Sequence, residues 1–382
     1  MKEGSLVKAL TRLVPAAAAA LAVAAFAAPG ASAATLSAHD GPGGGAVFAL
    51  TDNTAGNAVA AYHRAPDGTL TLAGTYPTGG LGGILNGSVV DHLASQGSLT
   101  YDNDHGLLFA VNAGSDTVSV FRVFGDRLEL RQVIWSGGAF PVSVTVHGNH
   151  AYVLDALDGG SLYGYRIADG HLTPIPGSSR RLGLDPNATP QFTNTPGQVA
   201  FTPDGSRILV TTKANGNDVD VFAVRPDGRL SRSPVVNSEP NAVPFSISFD
   251  RAGHVLIAEA GPNALATFAL SGSVLTQLAI ADTGQMATCW VAPAGRYFYA
   301  SNAGSGSVSG YTVGGAGQLT ALGNALTDAG TVDASAAGGF LYVQAGAAGI
   351  VDEFAVGAGG ALTSLGSVTV AGAVGGEGIV AL

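Results

Sequence analysis

The chain has 382 residues, of which 46% are hydrophobic and 12% are charged, and its formal net charge at pH 7 is −10. The hydrophobic fraction excludes a largely disordered chain, and the acidic excess excludes nucleic acid as a partner because it repels phosphate backbones. A single cysteine, Cys289, excludes an internal disulfide.

The first predicted element is a signal peptide over residues 1–33. Three basic residues precede an apolar run at positions 14–28, and Ala31-Ser32-Ala33 fits the A-x-A cleavage pattern. A membrane anchor is the alternative, but the run is shorter than the roughly 20 residues that cross a bilayer. We therefore expect residues 34–382 to be a single secreted domain, periplasmic or extracellular, with no membrane span.

The mature part of the chain consists of repeats of a four-strand unit. One copy, residues 98–134, divides into SLTYD, LLFAVN, TVSVFRV and RLELRQVI, which we call strands A to D. An aromatic residue recurs late in strand C, at Tyr62, Phe121, Tyr165, Phe222, Phe268, Tyr311 and Phe354. Because short alternating strands in a repeat of about 43 residues are typical of propeller blades, the sequence predicts an all-β, seven-bladed β-propeller with four-stranded antiparallel blades.

The ends of the chain predict how the ring closes. The repeats begin with GAVFAL, which corresponds to a strand B, so blade 1 lacks its own strand A. The chain ends in GIVAL at residues 378–382, which resembles the start of a repeat. We expect this C-terminal strand to pair with Val47–Leu50 in blade 1, which removes an exposed sheet edge.

Two connections between strand D and the next strand A are unusually long. We call residues 77–97 the first insertion and residues 180–195 the second insertion. Since both are D–A connections, they lie on the same face of the predicted propeller. Long loops on one face of a repeat protein usually mark the binding face.

Polar residues follow strand B of every blade on that same face. Counting back nine or ten positions from each repeat aromatic gives Asn53, Asn112, Asp155, Lys213, Glu259, Asn302 and Gln344. An Asn or Asp here often binds its own turn, so a structural role is one interpretation. Lys213 and Glu259 depart from this pattern on adjacent blades, which predicts either an acid–base pair or an ordinary solvated ion pair.

Further candidates lie at the predicted channel mouth. Gln96 and Gln198 precede strands A and could orient a substrate, Trp290 could stack on a ring or fill the channel, and His92 lies in the first insertion. Asn112, Asp155 and Asn302 complete the predicted substrate-binding set. The eight histidines show no metal-ligand spacing, and no phosphate-loop or dinucleotide motif is present, so we expect neither a metal nor a cofactor.

Three segments carry a family resemblance: LLFAVNAGSDTVSVFRV, PGQVAFTPDGSRILVTTKANGNDVDVF and YFYASNAGSGSVSGYTV. They resemble repeats of the seven-bladed lactonase family, which includes propeller-type 6-phosphogluconolactonases and carboxymuconate-lactonising enzymes, and they are similar to YVTN-type surface propellers. The resemblance implies metal-independent hydrolysis or cyclisation of a lactone. Where the phosphogluconolactonases carry P-R-H and N-E, this chain has Pro196-Gly197-Gln198 and Thr212-Lys213, so those catalytic groups do not carry over.

Two functional hypotheses of different class follow. In the first, a secreted, monomeric lactonase uses Glu259 as general base and Lys213 to stabilise the oxyanion, while Gln96 and Gln198 orient a small lactone or cyclic ester. In the second, the same mouth of a non-catalytic propeller binds a cell-surface ligand, such as a peptide, a glycan or a partner protein. A structural protein of the cell envelope is a third interpretation, because fold alone does not decide function.

Overall fold

The computed structural model describes residues 44–382, so the predicted signal peptide and its cleavage site lie outside the described residues. The described chain forms seven antiparallel sheets, each with a four-strand path. This confirms the predicted seven-bladed propeller. Within residues 44–382, no helix has the length and apolar character needed to cross a membrane.

The strands of blades 1 to 3 follow the A-to-D order along the chain, except that blade 1 begins with strand B. Blade 1 contains β1 (Gly45–Leu50), β2 (Ala58–Arg64) and β3 (Leu70–Pro77). Blade 2 contains β4 (Leu99–Asp102), β5 (Leu107–Asn112), β6 (Thr117–Phe124) and β7 (Arg127–Trp135). Blade 3 contains β8 (Pro141–His147), β9 (His150–Asp155), β10 (Ser161–Ala168) and β11 (His171–Pro174), with β12 (Arg180–Arg181) also paired to β10.

Blades 4 to 7 repeat the same arrangement. Blade 4 contains β13 (Val199–Phe201), β14 (Arg207–Thr211), β15 (Asp218–Ala223) and β16 (Val235–Ser238). Blade 5 contains β17 (Pro244–Phe249), β18 (Val255–Glu259), β19 (Ala264–Ser271) and β20 (Val274–Asp282). Blade 6 contains β21 (Thr288–Ala294), β22 (Tyr297–Asn302), β23 (Ser307–Val313) and β24 (Leu319–Leu326), and blade 7 contains β25 (Thr331–Ala337), β26 (Phe340–Ala345), β27 (Ile350–Val356) and β28 (Leu362–Thr369).

The remaining strand, β29 (Ile379–Ala381), closes the ring. It pairs antiparallel with β1, with Val47 opposite Ala381 and Ala49 opposite Ile379. The Arg64 guanidinium also donates a hydrogen bond of 3.1 Å to the carbonyl of Leu382. The predicted closure by the C-terminal strand is therefore confirmed.

Burial follows the position of each strand in its blade. Every residue of β5 is buried, whereas in the outer strand β7 only Leu128 is buried and the other residues are half-buried or exposed. Inner strands are covered on both faces by the neighbouring blades, so they need a continuous apolar run, and outer strands keep one face in solvent. The seven repeat aromatics are all buried at the blade boundaries.

Helical structure in the described residues consists of single turns. They are a 3₁₀ turn at Ala113–Ser115, α1 (Gln191–Asn194) and α2 (Lys213–Gly216). The α1 turn belongs to the second insertion, which contacts the first: the Asn86 amide donates to Gln191 Oε1 at 2.9 Å. Both insertions therefore lie together on one face, and α2 begins directly beneath them.

Candidate functional site

A cavity of about 150 Å³ lies under the two insertions, against blades 4, 5 and 6. The first insertion contributes one wall, α1 of the second insertion contributes another, and the inner strands of blades 5 and 6 form the base. The lining residues are Ser88, Val89, Val90, Asp91, Ala94, Phe192, Thr193, Lys213, Val243, Phe245, Ala260, Ala287, Cys289, Trp290 and Ala303.

Lys213 links both insertions to blade 4 from inside this cavity. Its side chain is 1% exposed, and Nζ donates to the carbonyls of Ala94 at 2.6 Å and Phe192 at 2.7 Å and to Thr195 Oγ1 at 3.2 Å. The ammonium also lies 5.2 Å from the centre of the Phe245 ring. An ammonium has three donors, so all three are used within the protein.

The local backbone directs this side chain inward. Lys213 starts the α2 turn with φ at +52°, a left-handed conformation that a non-glycine residue adopts at a cost of about 1–2 kcal/mol. Burial lowers the pKa of Lys213 to about 7, and the nearby Asp91 carboxylate opposes this shift. The lysine therefore titrates near neutral pH.

Asp91 is the acidic residue of the cavity. It is buried in the first insertion, where its carboxylate oxygens accept hydrogen bonds from the backbone N–H groups of Leu93 at 2.8 Å and Ser95 at 3.0 Å. Burial raises the pKa of Asp91 to about 6, and these backbone donors and Lys213 limit the rise. A carboxylate and an ammonium with shifted pKa values thus share one cavity, an arrangement typical of functional sites.

Two more buried carboxyl groups lie close to Asp91. Asp333 is on β25, Glu377 is separated from β29 by Gly378, and Ser95 Oγ donates to Glu377 Oε2 at 3.3 Å. Burial raises the pKa of Asp333 to about 7 and that of Glu377 well above its usual range. Repulsion from Asp91 adds to the rise at both residues, and repulsion from Asp333 adds further to the rise at Glu377.

Most of the chain matches a known protein family. Residues 82–375 match the family model described as lactonase, 7-bladed beta-propeller. The chain belongs to the seven-bladed β-propeller lactonase family. No curated protein matches the lactonase-family chain.

Solved structures share the fold of this lactonase-family propeller. The periplasmic gluconolactonase of Pseudomonas aeruginosa is similar with a TM-score of 0.72 at 18% identity, over 89% of this chain and 99% of that one. A Bacteroides fragilis protein provisionally assigned as a 6-phosphogluconolactonase has a TM-score of 0.70 at 18% identity, over 91% of this chain and 99% of that one. At 18% identity, the similarity to these two structures shows a shared fold.

The segment where this lactonase-family member departs from the P-R-H pattern is tightly packed. A Cβ atom on Gly197 would lie 2.6 Å from the carbonyl oxygen of Phe245 and 2.9 Å from Thr211 Oγ1. The next residue, Gln198, accepts a hydrogen bond of 2.5 Å from the Ile247 amide through Oε1. A larger side chain at position 197 therefore requires the backbone of blade 5 to shift.

Glu259 lies apart from Lys213. It ends β18 and is buried, and burial raises the pKa of its carboxyl to about 7, with repulsion from Glu239 adding to the rise. In the described part of the chain no ion pair joins Glu259 to Lys213, and Glu259 does not line the cavity, although its neighbour Ala260 does. The two side chains that were predicted to converge are thus held in separate surroundings.

The seven polar residues predicted to follow strand B do not occupy the same position in every blade. Asn112, Asp155, Glu259 and Asn302 each end their strand B, but Asn53 lies beyond β1, Lys213 lies beyond β14, and Gln344 precedes the end of β26. The α2 turn after β14 explains the displacement of Lys213. The seven positions are therefore not structurally equivalent from blade to blade.

Gln96 and Trp290 make cross-channel contacts, whereas the side chain of Gln198 bonds the adjacent blade 5. Both polar atoms of the Gln96 amide bind Val291 of β21, with Nε2 donating to its carbonyl at 3.1 Å and Oε1 accepting from its amide at 3.2 Å. Trp290 Nε1 donates to the Ser95 carbonyl at 2.7 Å, and its ring lies 5.0 Å from that of Phe245. Of these three residues, Trp290 lines the cavity.

Other predicted binding residues are buried within or between blades. Asn112 Oδ1 accepts from Asn57 Nδ2 at 3.1 Å, and Asn302 Oδ1 accepts from Thr288 Oγ1 at 2.6 Å. Both side chains are fully buried, and so is Asp155, whose pKa is raised to about 7 by burial. None of the three is part of the cavity wall.

His92 points away from the cavity toward blade 1. Its Nδ1 lies 3.6 Å from Oδ2 of the buried Asp52, whose pKa is raised to about 7 by burial and held down by His92. The His92 amide donates to the Gly375 carbonyl at 2.8 Å. This pair holds the first insertion against blade 1 and the C-terminal segment.

Asp91 and the aromatic wall of Phe192 and Phe245 were not among the predicted site residues. One signal was available in the sequence, because Asp91 is the single acidic residue of the first insertion. Cys289 lines the cavity too, but burial raises the pKa of its thiol to about 12, so it stays protonated at neutral pH. Residues 44–382 contain no group of three His, Cys, Asp or Glu side chains arranged to hold a metal ion.

Proposed function

We propose that this lactonase-family propeller is a secreted, monomeric enzyme that hydrolyses a small lactone or cyclic ester in the cavity under the two insertions. The observation that carries the proposal is the presence of Asp91 and Lys213 on the wall of one cavity. Secretion rests on the signal-peptide pattern of residues 1–33.

The cavity offers a base and a positive charge for ester hydrolysis. Asp91 takes a proton from water, and the resulting hydroxide adds to the lactone carbonyl. The charge of Lys213 stabilises the oxyanion through space, since its three donors already bind protein oxygens. The ring C–O bond then breaks, the leaving alkoxide takes the proton from Asp91, and the product is a hydroxy acid.

Glu259 is the second candidate for the base. Its pKa is also raised to about 7, so it has the basicity that the reaction needs, and the adjacent Ala260 reaches the cavity. We rank it after Asp91 because its own side chain does not line the cavity. Separate Asp91→Asn and Glu259→Gln variants decide between the two.

Lactone hydrolysis is tested with the mature chain, residues 34–382, and a panel of γ- and δ-lactones followed by proton release. We expect at least one lactone to be turned over above its spontaneous rate, and we expect EDTA to leave the rate unchanged, because the proposed step uses protein groups alone. No enzyme-dependent hydrolysis of any lactone would refute the enzymatic function. Loss of activity with EDTA and recovery with calcium or zinc would refute metal independence.

A non-catalytic binding propeller is the second candidate function. It is favoured by one observation: all three donors of Lys213 are occupied, which leaves the ammonium no free hydrogen for a substrate oxygen. In that case the cavity retains a small molecule or part of a cell-surface ligand unchanged. Saturable binding of a lactone without turnover would favour this function.

A further inference from the structure

We infer that the ligand of the cavity is an uncharged lactone with an apolar substituent, and that polyhydroxylated or phosphorylated sugar lactones are excluded. This inference rests on the proposed function, because it takes the cavity as the substrate site. It adds the chemical class of the molecule that fits there.

The wall of the cavity is mainly aliphatic and aromatic. Phe192, Phe245 and Trp290 supply three rings, and Val90 and several alanines fill the spaces between them. Trp290 is 3% exposed and packs with Phe245 and Val332 in one apolar cluster. An apolar cavity of this volume suits a ligand of about the size of benzene.

The polar side chains of the wall are already hydrogen-bonded within the protein. Ser88 donates to the Asp91 carbonyl, and Thr193 donates to that of Pro190. Asp91, Lys213 and Trp290 are bonded as described above, and the remaining polar group is the weakly bonding thiol of Cys289. A sugar ring would give up its bonds to water and find few groups to replace them, which makes its binding unfavourable.

Charge at the cavity also opposes a phosphate group. Lys213 is the single basic residue of the lining, and Asp91 lies beside it. The buried Asp333 and Glu377 add further negative charge when they ionise. A dianionic phosphate would meet this field without a free guanidinium or ammonium donor to bind it.

The entrance continues the apolar surface into solvent. Val89 is 79% exposed on the first insertion, and Met286, next to the cavity-lining Ala287, is 61% exposed. Large apolar side chains at a cavity rim are typical of sites that accept apolar ligands. A short alkyl chain on a lactone ring can therefore extend along Val89 and Met286 while the ring occupies the cavity.

The inference is tested with two lactones that share a six-membered ring. δ-Octalactone carries a propyl chain, and glucono-δ-lactone carries hydroxyl groups. Binding is followed by the fluorescence of Trp290 in a Trp135→Phe background, which removes the other, surface tryptophan. We expect δ-octalactone to bind at least about tenfold more tightly than glucono-δ-lactone, from the transfer of its alkyl carbons out of water.

A cavity-filling variant and a matched control locate the site. Ala303→Leu places extra volume in the cavity wall of blade 6, and Ala321→Leu makes the same change on the outer strand β24 of that blade. We expect Ala303→Leu to weaken δ-octalactone binding at least about tenfold and Ala321→Leu to leave it unchanged. The comparison of the two lactones needs no cavity variant, so it holds even if Ala303→Leu fails to fold.

The outcomes separate this inference from the proposed function. Equal or tighter binding of glucono-δ-lactone, or no saturable binding of δ-octalactone, overturns the apolar class. Binding of δ-octalactone with no hydrolysis of any lactone in the panel supports the apolar class and refutes the lactonase activity. Hydrolysis of glucono-δ-lactone that is faster than that of δ-octalactone supports the lactonase activity and overturns the apolar class.

Discussion

Lys213 has an enclosed ammonium and a left-handed backbone, and the two features depend on each other. The α2 turn aims the side chain at the insertions, and the bonds from Nζ to Ala94, Phe192 and Thr195 hold that turn in place. The same contacts bring a positive charge to Asp91 in a region with little water. Lys213 therefore positions the insertions and, in the proposed reaction, also supplies the positive charge.

The shifted pKa values of Asp91 and Lys213 predict a narrow pH optimum. The base acts when Asp91 is ionised, so kcat/KM should rise as pH increases through about 6. The lysine supports the oxyanion only when charged, so kcat/KM should fall as pH increases through about 7. A pH–rate profile with a maximum between these values is the expected result, and a flat profile from pH 5 to 9 would show that neither group titrates in the reaction.

At the scale of elements, neighbouring blades are joined by a recurring hydrogen bond. A tyrosine on strand B donates to a carbonyl in the C–D turn of the next blade, as in Tyr152 to Gly228 at 2.6 Å, Tyr299 to Gly360 at 2.8 Å and Tyr342 to Gly68 at 2.7 Å. The last of these connects blade 7 to blade 1. These buried bonds supplement the apolar packing between blades.

Two glycines in equivalent turns allow the packing of a C–D turn against the neighbouring blade to be measured. Gly68 has φ at +91° and a Cβ there would lie 2.3 Å from the Phe340 ring, whereas Gly272 has φ at +62° and open space around it. Alanine at either site meets the cost of a left-handed conformation. We expect Gly68→Ala to lower the free energy of unfolding by about 1–2 kcal/mol more than Gly272→Ala, measured by urea denaturation. Equal effects would show that the turn of blade 1 can move away from blade 7 freely.

Closure of the ring gives a second prediction for an element. A chain that ends at Gly372 lacks β29 and leaves the inner edge of β1 unpaired. We expect this chain to have a lower melting temperature and to associate, because unpaired edges bind other strands. Size-exclusion chromatography and thermal melting measure both effects, and a synthetic peptide of residues 373–382 should reverse them. A truncated chain that stays monomeric with its original melting temperature would refute the role of closure.

At the scale of the whole molecule, the blade repeat could be predicted from the sequence, whereas only part of the candidate site could. The spacing of the seven aromatics predicted the blades, since each buried aromatic marks one local unit whose strands pair within about 43 residues. Lys213 and Trp290 were predicted and line the cavity, but Asp91 comes from a non-repeating insertion. Its position depends on contacts with distant blades, which no local pattern records.

Buried carboxyl groups predict an acid-side stability optimum for the whole protein. Burial raises the pKa of Asp52, Asp155, Asp220 and Asp333 to about 7, so the folded state binds protons more tightly than the unfolded state. Stability should fall as pH rises from about 4 to 7, because the unfolded chain gains by ionising these groups. Thermal melts should give a melting temperature at pH 5 that is at least about 3 °C above that at pH 7.5. A higher melting temperature at pH 7.5 would contradict the raised pKa values.

The most direct measurement is the hydrolysis rate of Asp91→Asn on the best lactone of the panel, with Asp220→Asn as control. Both residues are buried aspartates with raised pKa values, but Asp91 lines the cavity and Asp220 lies on β15. Loss of the base predicts a fall in kcat of at least about 100-fold for Asp91→Asn, with Asp220→Asn within about twofold of the original chain. Full turnover by Asp91→Asn would show that the cavity does not use this carboxylate, and a selective loss in Glu259→Gln would then assign the base to Glu259.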